Sequence, residues 1–154
     1  MSKSEDKRNQ LEVVATSDLV PQDHLIRKVD KVLDLNFIYL LVEDKYCFDN
    51  GRPSIETVIL LKIILIQKLF EIKSMRQTIK EIETNVAYRC YLRYSLQNKI
   101  PHFTTFGKNY IRRFSDNTLV EEIFEHILQL AMQHKLIDTS ALFIDSTHIK
   151  ANAN

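Results

Sequence analysis

Apolar residues recur along most of the chain at helical rather than strand spacing. Between Gln22 and Leu33, the positions Leu25, Ile26, Val29, Val32 and Leu33 predict a helix that starts near Pro21–Asp23. Phe37, Ile38, Leu40 and Leu41 predict a second, short helix over 36–43. Asp49-Asn50-Gly51-Arg52-Pro53 is the clearest turn signal in the chain. Ser54 fits as the cap of a third helix, running to about Phe70. From Val58 to Ile66 this helix is apolar except for Lys62. A helix apolar on nearly all sides belongs in a core, and this stretch is too short and interrupted to span a membrane.

Ser74-Met75-Arg76-Gln77 has the capping-box pattern, Ser at the cap and Gln three residues later. The helix it opens turns Met75, Ile79 and Ile82 inward and Arg76, Lys80 and Glu83 outward, ending near Thr84–Asn85. Asn85 then caps a helix from Val86 to about Tyr94, rich in basic and aromatic residues. A helix, a short turn and a basic second helix predict a helix-turn-helix arrangement. Pro101 breaks the chain again, and Thr104 or Thr105 is expected to cap a helix through Phe114. Phe106, Tyr110 and Phe114 form its apolar stripe, with Lys108, Arg112 and Arg113 largely on another face. Gly107 inside that helix costs about 1 kcal/mol relative to Ala, which a close helix or a close DNA backbone would explain. Asn117 or Thr118 opens the most regular helix, with Leu119, Ile123, Ile127, Leu130 and Ala131 on one side. Thr118 and Glu121 make another capping-box pattern. Leu142, Phe143 and Ile144 then predict a short strand, apolar on both faces, that ends in Asp145.

Composition fits this picture. The 154 residues are 45% hydrophobic and 27% charged, enough to bury a core. Two glycines and three prolines disfavour an all-β fold with many tight turns. Cys47 and Cys90 stand alone, outside any metal spacing, as expected of packed thiols in a reducing cytoplasm. His126 and His134 lack the spacing and the third ligand of a metal site. The polar N-terminal stretch has no apolar core, so no signal peptide is expected. Charge is what changes the picture. Net charge is only +1, yet residues 62–113 hold 11 basic and 3 acidic side chains between acidic flanks. Such a basic middle is either a nucleic-acid footprint or a solvated helical surface.

Four blocks carry a family resemblance: Gly51-Arg52-Pro53-Ser54, then Asn85-Val86-Ala87-Tyr88-Arg89, then Ile100-Pro101-His102-Phe103-Thr104-Thr105-Phe106, then Phe143-Ile144-Asp145-Ser146-Thr147-His148-Ile149-Lys150-Ala151-Asn152. In this order they resemble bacterial insertion-sequence transposases of the DDE class, over roughly residues 20–154. The resemblance implies a mainly α chain. A helical bundle with a helix-turn-helix-like DNA-binding part is followed by the first β-strand or hairpin of an incomplete RNase H-like α/β domain. The expected divisions are a flexible arm (1–18), an N-terminal helical segment (19–50), a basic helical DNA-binding region (51–115), a connecting helix (116–140) and the start of the catalytic domain (141–154). Expected DNA contacts are Arg76, Lys80, Arg89, Arg93, Lys108, Arg112 and Arg113, acting on the terminal repeats of the element.

Asp145 matches the family's first catalytic aspartate, a ligand of Mg2+. Phosphodiester chemistry of this kind uses two metal ions about 4 Å apart, held by carboxylates. The family's second Asp and its Glu fall beyond Asn154. The expectation is therefore a catalytically incomplete chain that binds Mg2+ weakly and does not by itself cleave or join DNA. Such a chain is a decayed remnant, an inhibitor that occupies element ends or assembles with intact transposase, or the front of a longer frame. A homo-oligomer is a further expected state, in the cytoplasm and away from membranes. The competing reading is a helical protein–protein interaction module whose apolar strand docks on a partner sheet.

Overall fold

The computed structural model of the chain describes residues 6, 8–42, 55–115 and 117–135. Seven α-helices and no strand occur among the described residues: α1 (Leu25–Val32), α2 (Phe37–Val42), α3 (Thr57–Leu69), α4 (Met75–Thr84), α5 (Val86–Tyr91), α6 (Phe103–Phe114) and α7 (Asn117–Gln133). The turn at 49–53, the Ser54 cap, Cys47, the 141–144 strand and Asp145 all lie outside the described residues.

The core forms around α3, which packs against α2, α4 and α6. Leu60, Ile63 and Ile66 are fully buried there, each contributing roughly 1.5–3 kcal/mol relative to exposure. Lys62, the single charge in this apolar run, is buried as well. Its Nζ donates to Asp30 Oδ1 and to the Tyr91 carbonyl, both at 2.9 Å, and lies 4.2 Å from the centre of the Tyr91 ring. A buried ammonium is tolerable only when paired in this way. Lys62 thereby ties α3 to α1 and α5.

Around α3 the other helices close in pairs, α1 on α5, α4 on both α5 and α6, and α6 on α7. His126 stacks on Phe37 with ring centres 3.8 Å apart, which joins α7 to α2. No helix among the described residues is long and apolar enough to cross a membrane.

Local chemistry sets the helix boundaries, and three of them differ from the sequence expectation. α3 begins at Thr57 with Glu56 in the N-cap position and no side-chain cap, two residues later than a Ser54 cap requires. Ser74 accepts from the Gln77 N–H, as its capping-box pattern predicts, but the Gln77 side chain reaches forward to Glu81 instead of back to the cap. Asn85 caps α5 by accepting from Ala87 and Tyr88 N–H. α5 stops at Tyr91, not near Tyr94, because Arg93 takes a left-handed conformation (φ 59°). The Tyr94 N–H then bonds back to the Arg89 carbonyl at 2.9 Å, the closure of a Schellman-type stop. α6 begins one residue ahead of Thr104. His102, whose ring Nδ1 accepts from the Thr104 N–H, is its cap, so neither threonine serves. α7 begins at Asn117, which places Thr118 inside the first turn.

A Cβ on Gly107 would meet nothing within 4 Å. Close helix packing therefore does not account for this glycine.

Candidate nucleic-acid interface

The seven basic residues proposed from sequence separate into distinct environments. On α4, Met75, Thr78, Ile79 and Ile82 turn toward the core, which leaves Arg76, Lys80 and Glu83 exposed along one edge. That edge borders an open groove shared with Ile100, His102 and Phe103 at the start of α6. The Arg76 guanidinium carbon lies 4.4 Å from the centre of the Phe103 ring. A cation–π contact of this kind restrains a guanidinium while leaving N–H groups for other acceptors. Phe103 in turn sits against the His102 ring at 4.2 Å. Lys73 ahead of α4 and Lys99 ahead of α6 are both exposed.

α6 carries the second group. Phe103, Phe106 and Phe114 define its inward side, and Tyr110 at its margin stands between the Phe106 and Phe114 rings, at 6.0 and 5.1 Å. Lys108 and Arg112, four residues apart, fall on the opposite, outward side and are exposed. Arg112 donates to the Asn109 side chain at 3.2 Å, which steadies it along the helix. Arg113 turns the other way. Its Nη1 donates to Thr57 Oγ1 at 2.7 Å, fastening α6 to the first residue of α3.

Arg89 and Arg93 are placed apart from both groups. Arg89 is 7% exposed. Its Nε donates to the Glu83 carbonyl, and its Nη1 to the carbonyls of Ser95 and Asn98, at 2.8–3.1 Å. The guanidinium thus fastens the end of α4 to the loop after α5. Arg93 is exposed, but it borders a different groove with Asp30, Asp34 and Glu56, where acidic groups offset its charge. The α4–α5 connection is Asn85 alone, and α5 has six residues. A helix-turn-helix usually has a three- to four-residue turn.

Sequence reasoning missed Phe103 and His102 as parts of this surface, because Pro101 made the stretch read as a loop. Their signal was the aromatic pair directly before a helix with basic residues. Sequence also left open that α7 has two apolar rows. Leu119 and Ile123 are buried, whereas Val120, Phe124, Leu128 and Met132 are exposed, Phe124 by 63%. No group of three His, Cys, Asp or Glu side chains among the described residues is placed to hold a metal ion. Asp145 lies outside them.

A family described as a transposase domain (DUF772) matches residues 14–112, from the turn before α1 almost to the end of α6. No curated protein and no solved structure matches the chain.

Proposed function

The chain belongs to the DUF772 transposase-domain family, and we propose that its helical part binds DNA at the ends of an insertion sequence through α4 and α6. The observation that carries this reading is the exposed set Arg76, Lys80, Lys108 and Arg112, all within the matched region. Lys73 and Lys99 add charge beside the α4 edge. Cations on exposed helix faces neutralise phosphates, the main sequence-independent source of DNA affinity. Arg89 and Arg113 are engaged within the fold, and Arg93 shares its groove with acids, so these three fall outside the contact set.

Asp145 remains the residue that the resemblance to DDE transposases assigns to Mg2+ and catalysis, in an RNase H-like part that begins near 141. The group would supply an activated oxygen nucleophile and a stabilised leaving oxygen. Among the described residues nothing serves that chemistry, so the DNA-binding reading is independent of it. Assembly with further copies, or with an intact transposase, belongs to the same proposal.

Binding of labelled duplex DNA, followed by fluorescence anisotropy across salt concentrations, tests the reading. Log affinity is expected to fall linearly with log salt, and replacing all four exposed residues by Ala is expected to abolish binding in a folded protein. Binding too weak to detect at low salt would remove the proposal. A second reading, a helical interaction module, draws on the exposed α7 row Val120–Phe124–Leu128–Met132. It predicts no salt-dependent DNA binding, which separates the two.

A further inference from the structure

We infer that α4, rather than α5, is the helix that reads base edges in the major groove, with Arg76 directed at a guanine. The inference rests on the DNA-binding reading above and assigns roles within it. The order of the two helices, with aromatic and basic residues concentrated on the second, points to α5 as the reader. The structure removes that option. Ala87, Tyr88, Arg89 and Tyr91 of α5 are buried, and at six residues the helix is only about 9 Å long.

On α4 the situation is reversed. Arg76, Lys80 and Glu83 follow one another at helical spacing on an exposed edge. They span roughly 10 Å along the axis, the rise of about three base pairs. Arg76 is the best prepared of the three. Its guanidinium lies over the Phe103 ring at 4.4 Å, and among the described residues the group donates to no protein acceptor. A planar fork fixed by an aromatic ring fits the paired O6 and N7 acceptors of guanine, the commonest specific contact in the major groove. Glu83 sharpens the assignment. A carboxylate on the same edge repels phosphates but accepts from the amino group of cytosine. An edge built only to grip the backbone gains nothing from it. Phe103 acts here as a positioning residue for Arg76.

Binding-site selection from a duplex library randomised at its centre tests this, with the full chain, Arg76→Lys and Phe103→Leu compared. Circular dichroism confirms that each variant is folded. The wild-type chain is expected to enrich a motif with one fixed guanine. Arg76→Lys keeps the charge and loses the fork. It should retain the salt dependence while its preference for that guanine falls about 10-fold or more, the discrimination that a bidentate pair supplies. Phe103→Leu should relax the same position and leave the others. An unchanged motif in Arg76→Lys would overturn the inference. So would salt-dependent binding by the wild type without any enriched motif, an outcome that leaves the broader DNA-binding reading standing. Absence of binding at low salt would instead sink that broader reading and this inference with it.

Discussion

α4 and α5 adjoin through Asn85, and each carries an arginine close to aromatic side chains, yet the two arginines do opposite work. Arg76 lies on the surface, its guanidinium carbon 4.4 Å from the centre of the Phe103 ring, and donates to no protein acceptor among the described residues. Arg89 lies inside and donates to three backbone carbonyls from two separate chain segments. The difference comes from the chain around each residue. α5 ends abruptly at a left-handed Arg93, and residues 94–99 then run without regular structure. The buried Arg89 guanidinium needs acceptors, and the carbonyls of Ser95 and Asn98 in this stretch supply them together with that of Glu83. Arg76 stands in the exposed first turn of α4, where it stacks on Phe103 and donates to no backbone carbonyl among the described residues. An arginine in a basic stretch is thus available to a ligand only where the fold does not engage it first.

Substitutions at the two sites offer the sharpest way to break this contrast. Arg89→Met keeps the apolar stem but removes the donors that fasten the end of α4 to the loop after α5. It should cost roughly 3 kcal/mol or more in urea denaturation, since hydrogen bonds to charged groups contribute about 1.5–3 kcal/mol each. Arg76→Ala should cost no more than about 1 kcal/mol, the range of an exposed cation–π contact. Equal losses at both sites would end the comparison.

Gly107→Ala tests the surface of α6 by a smaller effect of opposite sign. The added methyl meets open space, so the helix should gain about 1 kcal/mol. The same variant sharpens the contrast on the binding side. DNA affinity that falls despite higher stability would place a phosphate backbone close to Gly107.

The smallest expected effect lies at Tyr91, in the buried region that Arg89 and Lys62 hold together. Its hydroxyl is buried without a hydrogen-bond partner among the described residues. Burial, with the nearby Asp30 charge adding to it, raises the phenol far above its ordinary pKa of 10.0. The folded state therefore holds the proton more tightly than the unfolded state does. This contribution is fully present below the unfolded pKa and is lost as pH rises above it toward the folded value. Tyr91→Phe should leave stability at neutral pH unchanged, or raise it by about 1 kcal/mol or less. It should also flatten the decline of stability above pH 10 in a denaturation series.

Most helices were legible from an apolar period and α3 from its nearly unbroken apolar run, and the Ser74 and Asn85 caps because their side chains accept from N–H groups two or three residues ahead. The start of α3, the end of α5 and the start of α6 were not. A left-handed Arg93 and a His102 cap use residue types that rarely take those roles. The candidate site was legible in part. Arg76, Lys80, Lys108 and Arg112 sit opposite apolar positions on their own helices, so helical periodicity alone places them outside. Arg89 and Lys62 owe their burial to acceptors on other elements, such as Asp30 on α1. No local pattern announces such partners. A count of basic residues over 62–113 therefore overstates the charge offered to solvent.

The most direct test of the account compares the salt dependence of duplex DNA binding by the intact chain and by a Lys80→Ala/Lys108→Ala double variant. Each lost phosphate contact lowers the slope of log affinity against log salt by about 0.9. The account predicts a slope shallower by nearly two such steps, with the fold and its thermal unfolding unchanged. An identical slope in the folded variant would contradict it, because the exposed edges of α4 and α6 would then not be where this protein meets DNA.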